Sequence, residues 1–462
     1  MATKQQNVEL STIDLRHVVG IGTPKAVDLW LDVVTNMQDR ARELAALSHS
    51  ELDKLGKLLN DTTGAELFGS VDSNLAAKAL QAMDPRRAGP ILSALHSDQA
   101  ANILRELKEP KQEALLAVLT LERATVLRGL LSWPEDSAAA RMVPETLTVR
   151  PDMTVSEAIN TVRDNASGRH SSSRTTAYVY VTDNDANLLG VVPFRNLVLT
   201  NPARRVAELM NDDLIVVSPL TDAELAARVL IDHNLVAVPV VDDNRRLLGV
   251  IAEDQVLGIA LEEATEDAER QGGSAPLDVP YLRASPWLLW RKRAIWLLVL
   301  FAAEAYTGTV LRTFQAEMEA VVALAFFIPL LIGTGGNTGT QICTTLVRAM
   351  STGQVRFRDL PAVLTKEMST GALLGATMAG AAVVRAWMLN VGPEVTVTVS
   401  VSVAAIVLWS SLIASLLPPL LKMMRLDPAI VSGPMIATIV DGTGLIIYFM
   451  VAHMMLPQLQ GL

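Results

Sequence analysis

AIWLLVLFAAEAYTGTVL, residues 294–311, is the first of five apolar runs that follow one another to the end of this 462-residue chain. The others lie at about 321–346, 370–390, 396–421 and 430–456. Each is long enough to cross the hydrocarbon core of a bilayer with some tilt. No run of that character occurs before Leu282, so the chain divides near residue 285. Residues 1–285 carry 41 acidic against 28 basic side chains, a net of −13, and residues 286–462 carry 8 against 11, a net of +3. The first part suits water and the second lipid.

The basic residues give the spans a direction. Arg291, Lys292 and Arg293 precede the first run, Arg348, Arg356, Arg358 and Lys366 separate the second from the third, and Lys422 and Arg425 separate the fourth from the fifth. All nine fall on one side, whereas the other has only Arg312 and Arg385. Because basic loops stay in the cytoplasm, the N-terminus is expected inside and the C-terminus outside. The opening MATKQQNVELSTIDLRHVV has neither an apolar core nor a small-residue cleavage pattern, which agrees. Cys343 is the only cysteine, so no intrachain disulfide or thiolate cluster can form, as fits a reducing compartment.

Working back from the spans, residues 262–269 place Glu262, Glu263, Glu266, Asp267 and Glu269 on one short helical stretch. Such a run is ordinarily a solvated face, but here it leads into the first span, where its field would act on any cation crossing the membrane. Before it stands a repeat: AYVYVTDNDANLLGVVPFRNLV at 177–198 matches VAVPVVDDNRRLLGVIAEDQVL at 236–257. Each copy reads strand, acidic turn, strand, helix. Thr154 with Glu157, and Thr221 with Glu224, have the spacing of capping boxes opening a helix ahead of each strand pair. The copies resemble a tandem of CBS domains, a βαββα module. In such pairs a G-x-x-T/S-x-x-D run often binds adenosine nucleotides. That run is degraded here, with Pro193 at the hydroxyl position of the first copy and Gln255 ending the second, which weighs against ATP as a ligand.

From Met83 a second period appears, with Leu95, Leu107, Leu119 and Leu131 recurring every twelve residues beside Ile91, Ile103, Leu115 and Leu127. Turn-forming stretches separate the units, so each is read as one short helix of a stack sharing one core.

Two spans are unusual. The second contains PLLIGTGGNTGTQ (329–341) and the fifth contains DPAIVSGPMIATIVDGTG (427–444). Irregular backbone is tolerated at membrane depth only against protein or a watery cavity, so these segments are expected to be broken helices unless their glycines serve close helix packing. A carboxylate such as Asp441 costs at least ~2.5 kcal/mol at mid-membrane and marks an ion or proton path. Glu304 in the first span reads equally well as an interfacial packing acid or a pore residue. Only His453 of six histidines lies in a span, so imidazole and thiolate sites for zinc or copper are missing. Oxygen donors remain, and they suit hard cations, magnesium above all in hydrated form.

At the two glycine-rich segments the chain resembles the MgtE family of magnesium channels, through P-x-x-x-G-x-G-G-N-x-G-x-Q in the second span and D-P-A…S-x-P…A-T…D-x-x-G in the fifth. WPEDSA at 133–138 and EEATED at 262–267 extend the likeness. The resemblance implies a multidomain chain: an all-α helical-repeat domain at 1–141, tandem CBS domains at 142–257, a connecting plug helix at 258–285, and a five-helix pore domain at 286–462. It implies a homodimer in a bacterial inner membrane, with the pore on the two-fold axis, and no nucleic-acid partner. The pore positions carried over are Gly333, Gly336, Asn337, Thr344, Gly433, Ala437 and Asp441. The cargo would be Mg2+, which would also close the pore from the cytoplasm through Glu263, Glu266, Asp267 and Asp427.

This sequence departs from the family pattern in several places. Thr340 and Gly433 stand where asparagines are usual. The run Ala252, Glu253, Asp254, Gln255, Val256, Leu257, Gly258 replaces T-x-D-D-V-L-D, and Asn234-Leu235 replaces D-L. With three carboxylates gone, closure by magnesium is expected to be weaker. A CBS-bearing membrane sensor that conducts nothing, or a carrier of other divalents such as Co2+, would share most of these features. No nucleophile, base and orienting group can be assembled from the motifs, so an enzyme is not expected.

Overall fold

The computed structural model describes residues 14–168, 177–424, 426–430 and 433–460. Of the stretches quoted above, residues 1–13 of the opening, Arg425, Val431 and Ser432 fall outside them. The chain separates into two compact units, Met1–Glu262 and Glu263–Leu462.

In the first unit, eight short helices start at residues 37, 49, 61, 73, 85, 97, 109 and 121, each twelve residues beyond the last. They are Met37–Ala45, His49–Leu58, Asp61–Gly69, Ser73–Ala82, Pro85–Ala94, Ser97–Arg105, Glu109–Leu116 and Leu121–Leu131. A side-chain oxygen caps six of the eight, from Asn36, Ser48, Asn60, Asp72, Asp84 and Thr120, satisfying N–H groups that the first turn leaves bare. Helices pack chiefly on the helix two along. Where they touch, glycine admits a neighbour: a Cβ on Gly56 would lie 2.6 Å from Met83, and one on Gly89 would lie 2.6 Å from Val118.

The CBS tandem forms two small sheets. In the first, β1 (Thr148–Val149) runs parallel to β2 (Tyr178–Thr182), which pairs antiparallel with β3 (Leu188–Pro193); in the second, β4 (Ala237–Val241) pairs antiparallel with β5 (Leu247–Ala252). Val181 faces Gly190 in one copy and Val240 faces Gly249 in the other, each with a bulge at the same place, so the two registers are the same. A bridge from Val217 to Val240 takes the place of β1 in the second copy. The copies meet across a pseudo-two-fold, with the Leu188 N–H donating to Arg245 O at 2.8 Å and the Leu247 N–H to Ala186 O at 3.0 Å.

Thr154 and Glu157 close a capping box, with bonds of 2.8 and 3.3 Å. The Thr221 box does not form. Asp222 is the cap, accepting from the Glu224 and Leu225 N–H groups, and Glu224 is drawn to Arg228 at 2.7 Å. In the WPEDSA motif, Ser137 caps the helix Ala138–Arg141, while the Ala223 N–H donates to Asp136 O and the Ala138 N–H to Thr221 O, both at 2.7 Å. The motif is thus a clasp between the helical stack and the second CBS copy.

The second CBS copy ends in one helix, Glu253–Gln271, which continues without interruption through the acidic run. It stops where Gly273 takes a φ of +72°, a left-handed turn that glycine adopts without strain, so the segment from 272 to 280 is not helical as the connecting-helix expectation had it.

Among the described residues of the second unit, five helices are long and apolar enough to cross a membrane: Pro286–Thr313, Val322–Ser351, Phe357–Leu389, Pro393–Met423 and Gly433–Met455. The third packs on the fourth, the second on the fourth and fifth, and the first on the fifth. The glycines of these segments do not break the helices they lie in. Helix Ile328–Ser351 passes through every glycine of 333–339 because Pro329 sits in its first turn, where a missing N–H costs nothing, and because the glycines bed into neighbouring helices. A Cβ on Gly335 would lie 2.7 Å from Val440, and one on Gly339 would lie 2.4 Å from Ile436. Irregular backbone lies instead just ahead of these helices, in the 3-10 turns Val322–Phe327 and Pro428–Ile430.

Candidate cation pathway

The second and fifth spans meet along their small residues, and that contact sets the polar groups. Gly333, Asn337 and Thr344 lie on an exposed side of the second span, together with Gln341, Thr345 and Arg348. A polar stripe on a membrane-crossing helix must face water or protein, because lipid offers its amide and hydroxyl groups no partner.

Gly336 is buried against Ala437, and a Cβ there would lie 3.2 Å from the Ala437 methyl and 3.6 Å from Asp441 Oδ1. The missing side chain therefore leaves open the space before the carboxylate. Asp441 is half-buried, and its Oδ1 is shielded from solvent without a hydrogen-bond partner. Glu304 of the first span lies within electrostatic reach of it. Behind Asp441, Tyr306 fills the notch at Gly442, where a Cβ would come within 2.2 Å of its ring. Glu304 also lines an open cavity of about 1080 Å3 with Trp290, Arg293, Pro434, Ala437 and Thr438. The position that sequence left ambiguous therefore shares its surroundings with Ala437 and Asp441.

The two positions in these spans that depart from the family pattern touch each other. The Thr340 hydroxyl donates to Gly433 O at 3.3 Å, and a Cβ on residue 433 would lie 2.7 Å from the Thr340 methyl.

At the entrance to the fifth span, Asp427 caps its own turn by accepting the Ala429 N–H at 2.8 Å. Its other oxygen binds the Arg270 guanidinium, which also binds Glu266 one turn earlier on the connecting helix. Two of the four acids expected to hold regulatory cation are thereby brought together around an arginine that sequence reading passed over. Glu263 and Asp267 each have interactions of their own. Downstream, Glu269 accepts the Leu277 N–H at 2.7 Å, Lys292 pairs with Asp278 at 3.0 Å, and Gly273 lies under Trp296. Among the described residues no three His, Cys, Asp or Glu side chains gather closely enough to enclose a metal ion.

In the first unit, Asp98 is a further acid that the motifs did not reveal. Burial pushes its carboxyl up, opposed by a 3.0 Å bond from the Gln255 amide, and Oδ1 has no partner. In each CBS copy the glycine of the Leu-Gly pair receives a neighbouring segment: a Cβ on Gly190 would meet Met210 at 2.9 Å, and one on Gly249 would meet Val143 O at 2.7 Å.

Five apolar helices, an unpartnered carboxylate oxygen where two of them meet and a large first unit without spans define a multi-pass membrane protein. A family model described as a divalent cation transporter matches residues 328–451, one described as the MgtE intracellular N domain matches 35–136, and the CBS domain model matches 138–200 and 206–262. The magnesium transporter MgtE of Thermus thermophilus is 39% identical over 330 residues, which is 71% of this chain and 72% of that protein. That of Bacillus subtilis is 27% identical over 389 residues, 84% of each. Among solved structures, the cytosolic domain of the Mg2+ channel MgtE in complex with ATP is 29% identical, with a TM-score of 0.48, covering 53% of this chain and 98% of that one. The chain belongs to the MgtE family, whose members are transporters and not enzymes.

Proposed function

We propose that the chain carries Mg2+ through a pore on the two-fold axis of a homodimer in the bacterial inner membrane, with the N-terminus in the cytoplasm and the C-terminus outside. The observation that carries this reading is the solvent-shielded, unpartnered Oδ1 of Asp441 opposite Gly336. A buried oxygen of that kind is costly unless a ligand satisfies it, and paired across a dimer it offers two carboxylates to a hydrated divalent ion. The exposed polar stripe of Gly333, Asn337 and Thr344 supports the dimer, since a second copy would give it a watery surface to share. Ala437 and Gly433 complete the lining. Mg2+ retains its waters, so a path with few direct ligands suits it better than it suits a metal that needs a tight shell. An inside-negative potential of 100 mV favours entry of a divalent ion by roughly 4.6 kcal/mol, so no coupling ion is required.

Closure is proposed to follow cytoplasmic Mg2+ binding at Glu263, Glu266, Asp267 and Asp427, and to need more Mg2+ than in relatives that keep the three missing carboxylates. The hydroxyl and terminal acid of the nucleotide run are absent, which weighs against ATP at the CBS tandem. The experiment is Mg2+ uptake by the purified protein in liposomes with competing divalents, alongside Asp441→Ala at equal abundance. Uptake by the wild type and none by the variant is expected. A wild type that conducts nothing points to a sensor, and an active variant removes Asp441 from the path.

A further inference from the structure

At the basic end of the second, third and fourth spans lies a hollow of about 180 Å3 that the transport path does not use. Its wall is apolar, formed by Leu346, Met350, Phe357, Val363 and Pro419, and its rim carries Arg356 and Lys422. Both basic side chains are exposed, and neither forms an ion pair among those of the described residues. The nearest acid on the same turn, Asp359, is engaged by the Arg356 backbone N–H at 2.9 Å and lies 3.9 Å from Arg358. Phe357 and Met423 stand 59% and 61% exposed beside it, on helices that belong in a bilayer.

We propose that this hollow is a binding site for one anionic phospholipid, its phosphate held by Arg356 and Lys422 and the upper part of an acyl chain seated on Phe357 and Val363. Two unpaired cations over an apolar slot match both halves of such a molecule. Basic pockets between spanning helices take acidic headgroups where neutral ones gain nothing. A second copy of the chain docked here by a two-fold would set cations against cations. A carboxylate segment of the acidic cytoplasmic unit would meet the charges but leave the apolar wall bare. The occupied site would tie together the ends of three helices, one of which carries Asn337 and Thr344.

The test needs no transport readout. Thermal unfolding of the full-length protein is followed in detergent with added phosphatidylglycerol or phosphatidylcholine, and retained lipid is counted by native mass spectrometry. Phosphatidylglycerol should raise the midpoint of the wild type more than phosphatidylcholine does, with one lipid retained per chain. Arg356→Gln with Lys422→Gln should lose most of that difference, and Val363→Trp, which fills the slot and spares both charges, should lose it too. Arg356→Lys with Lys422→Arg guards against misfolding and should keep it, as should Arg385→Gln. Equal responses to the two lipids, a full response in the double glutamine variant, or the same rise from inorganic phosphate alone would each overturn the proposal.

Discussion

At the scale of single residues, the proposed path depends on what glycine leaves empty. Gly336→Val would place methyl groups in the space that Asp441 Oδ1 faces, so uptake should fall about as far as in Asp441→Asn, by roughly tenfold or more, equivalent to ~1.4 kcal/mol. Liposome flux at matched protein density checks this, and an unimpaired Gly336→Val would show that the ion does not pass there. Thr340 and Gly433 make a second case. Gly433→Asn alone drives a Cβ into the Thr340 methyl, whereas Thr340→Asn beside it removes the branch that clashes. The pair should be coupled by about 0.5–3 kcal/mol in thermal unfolding, and simply additive losses would contradict the contact. Asp98 gives a pH dependence of definite sign. Burial raises its pKa, so the folded state prefers the neutral acid. The first unit carries no penalty below the unfolded-state value and loses stability as pH rises through the folded one. In chelator, Asp98→Asn should therefore melt higher than wild type at neutral pH, with the gap closing in acid.

At the scale of elements, the connecting helix is fastened to the fifth span by a side chain of its own. Arg270 neutralises Glu266 and Asp427 as a bound cation would, so part of the attachment should survive without Mg2+. In chelator, Arg270→Gln should be cut faster than wild type by protease between residues 272 and 285, and the wild type should approach it at high salt, where such pairs are screened. Equal rates would mean that the tie carries nothing. None of this was visible along the chain, because Arg270 and Asp427 lie 157 residues apart. The CBS strands were legible because their alternation, acidic turns and Leu-Gly pairs are local signals. The misplaced cap was not, since Thr221 and Asp222 are both good caps and the choice fell to Arg228, which draws Glu224 away. The glycine-rich spans read as breaks because a sequence shows that glycine is permissive but not which neighbour needs the room.

At the scale of the molecule, the division into an acidic aqueous unit and five spans followed from charge and apolar length alone, and the family motifs supplied the rest of the layout. The helical stack was only half seen. Its period continues upstream as Leu47, Leu59, Val71 and Met83, with Leu55, Leu67 and Ala79 in the second row and Glu43 ending it. A search keyed to leucine and isoleucine loses the trail at Met83, Ala79 and Val71, though each still reaches the core or packs against it. Because the core is shared from helix to helix, a single cut should be felt along the stack: Leu67→Ala, at a fully buried site, should cost about 2–5 kcal/mol. Calorimetry of the first unit within the full chain checks this, and a loss well under ~1 kcal/mol would mean the unit is not cooperative.

The twelve-residue period has an evolutionary corollary. Successive helices alternate between two columns, so losing one unit would send every later helix to the wrong column, while losing two would leave the pattern intact. Length changes tolerated in this region over descent should therefore come in steps of twenty-four residues, and a lineage that lost twelve should show a rebuilt clasp where the stack meets the second CBS copy.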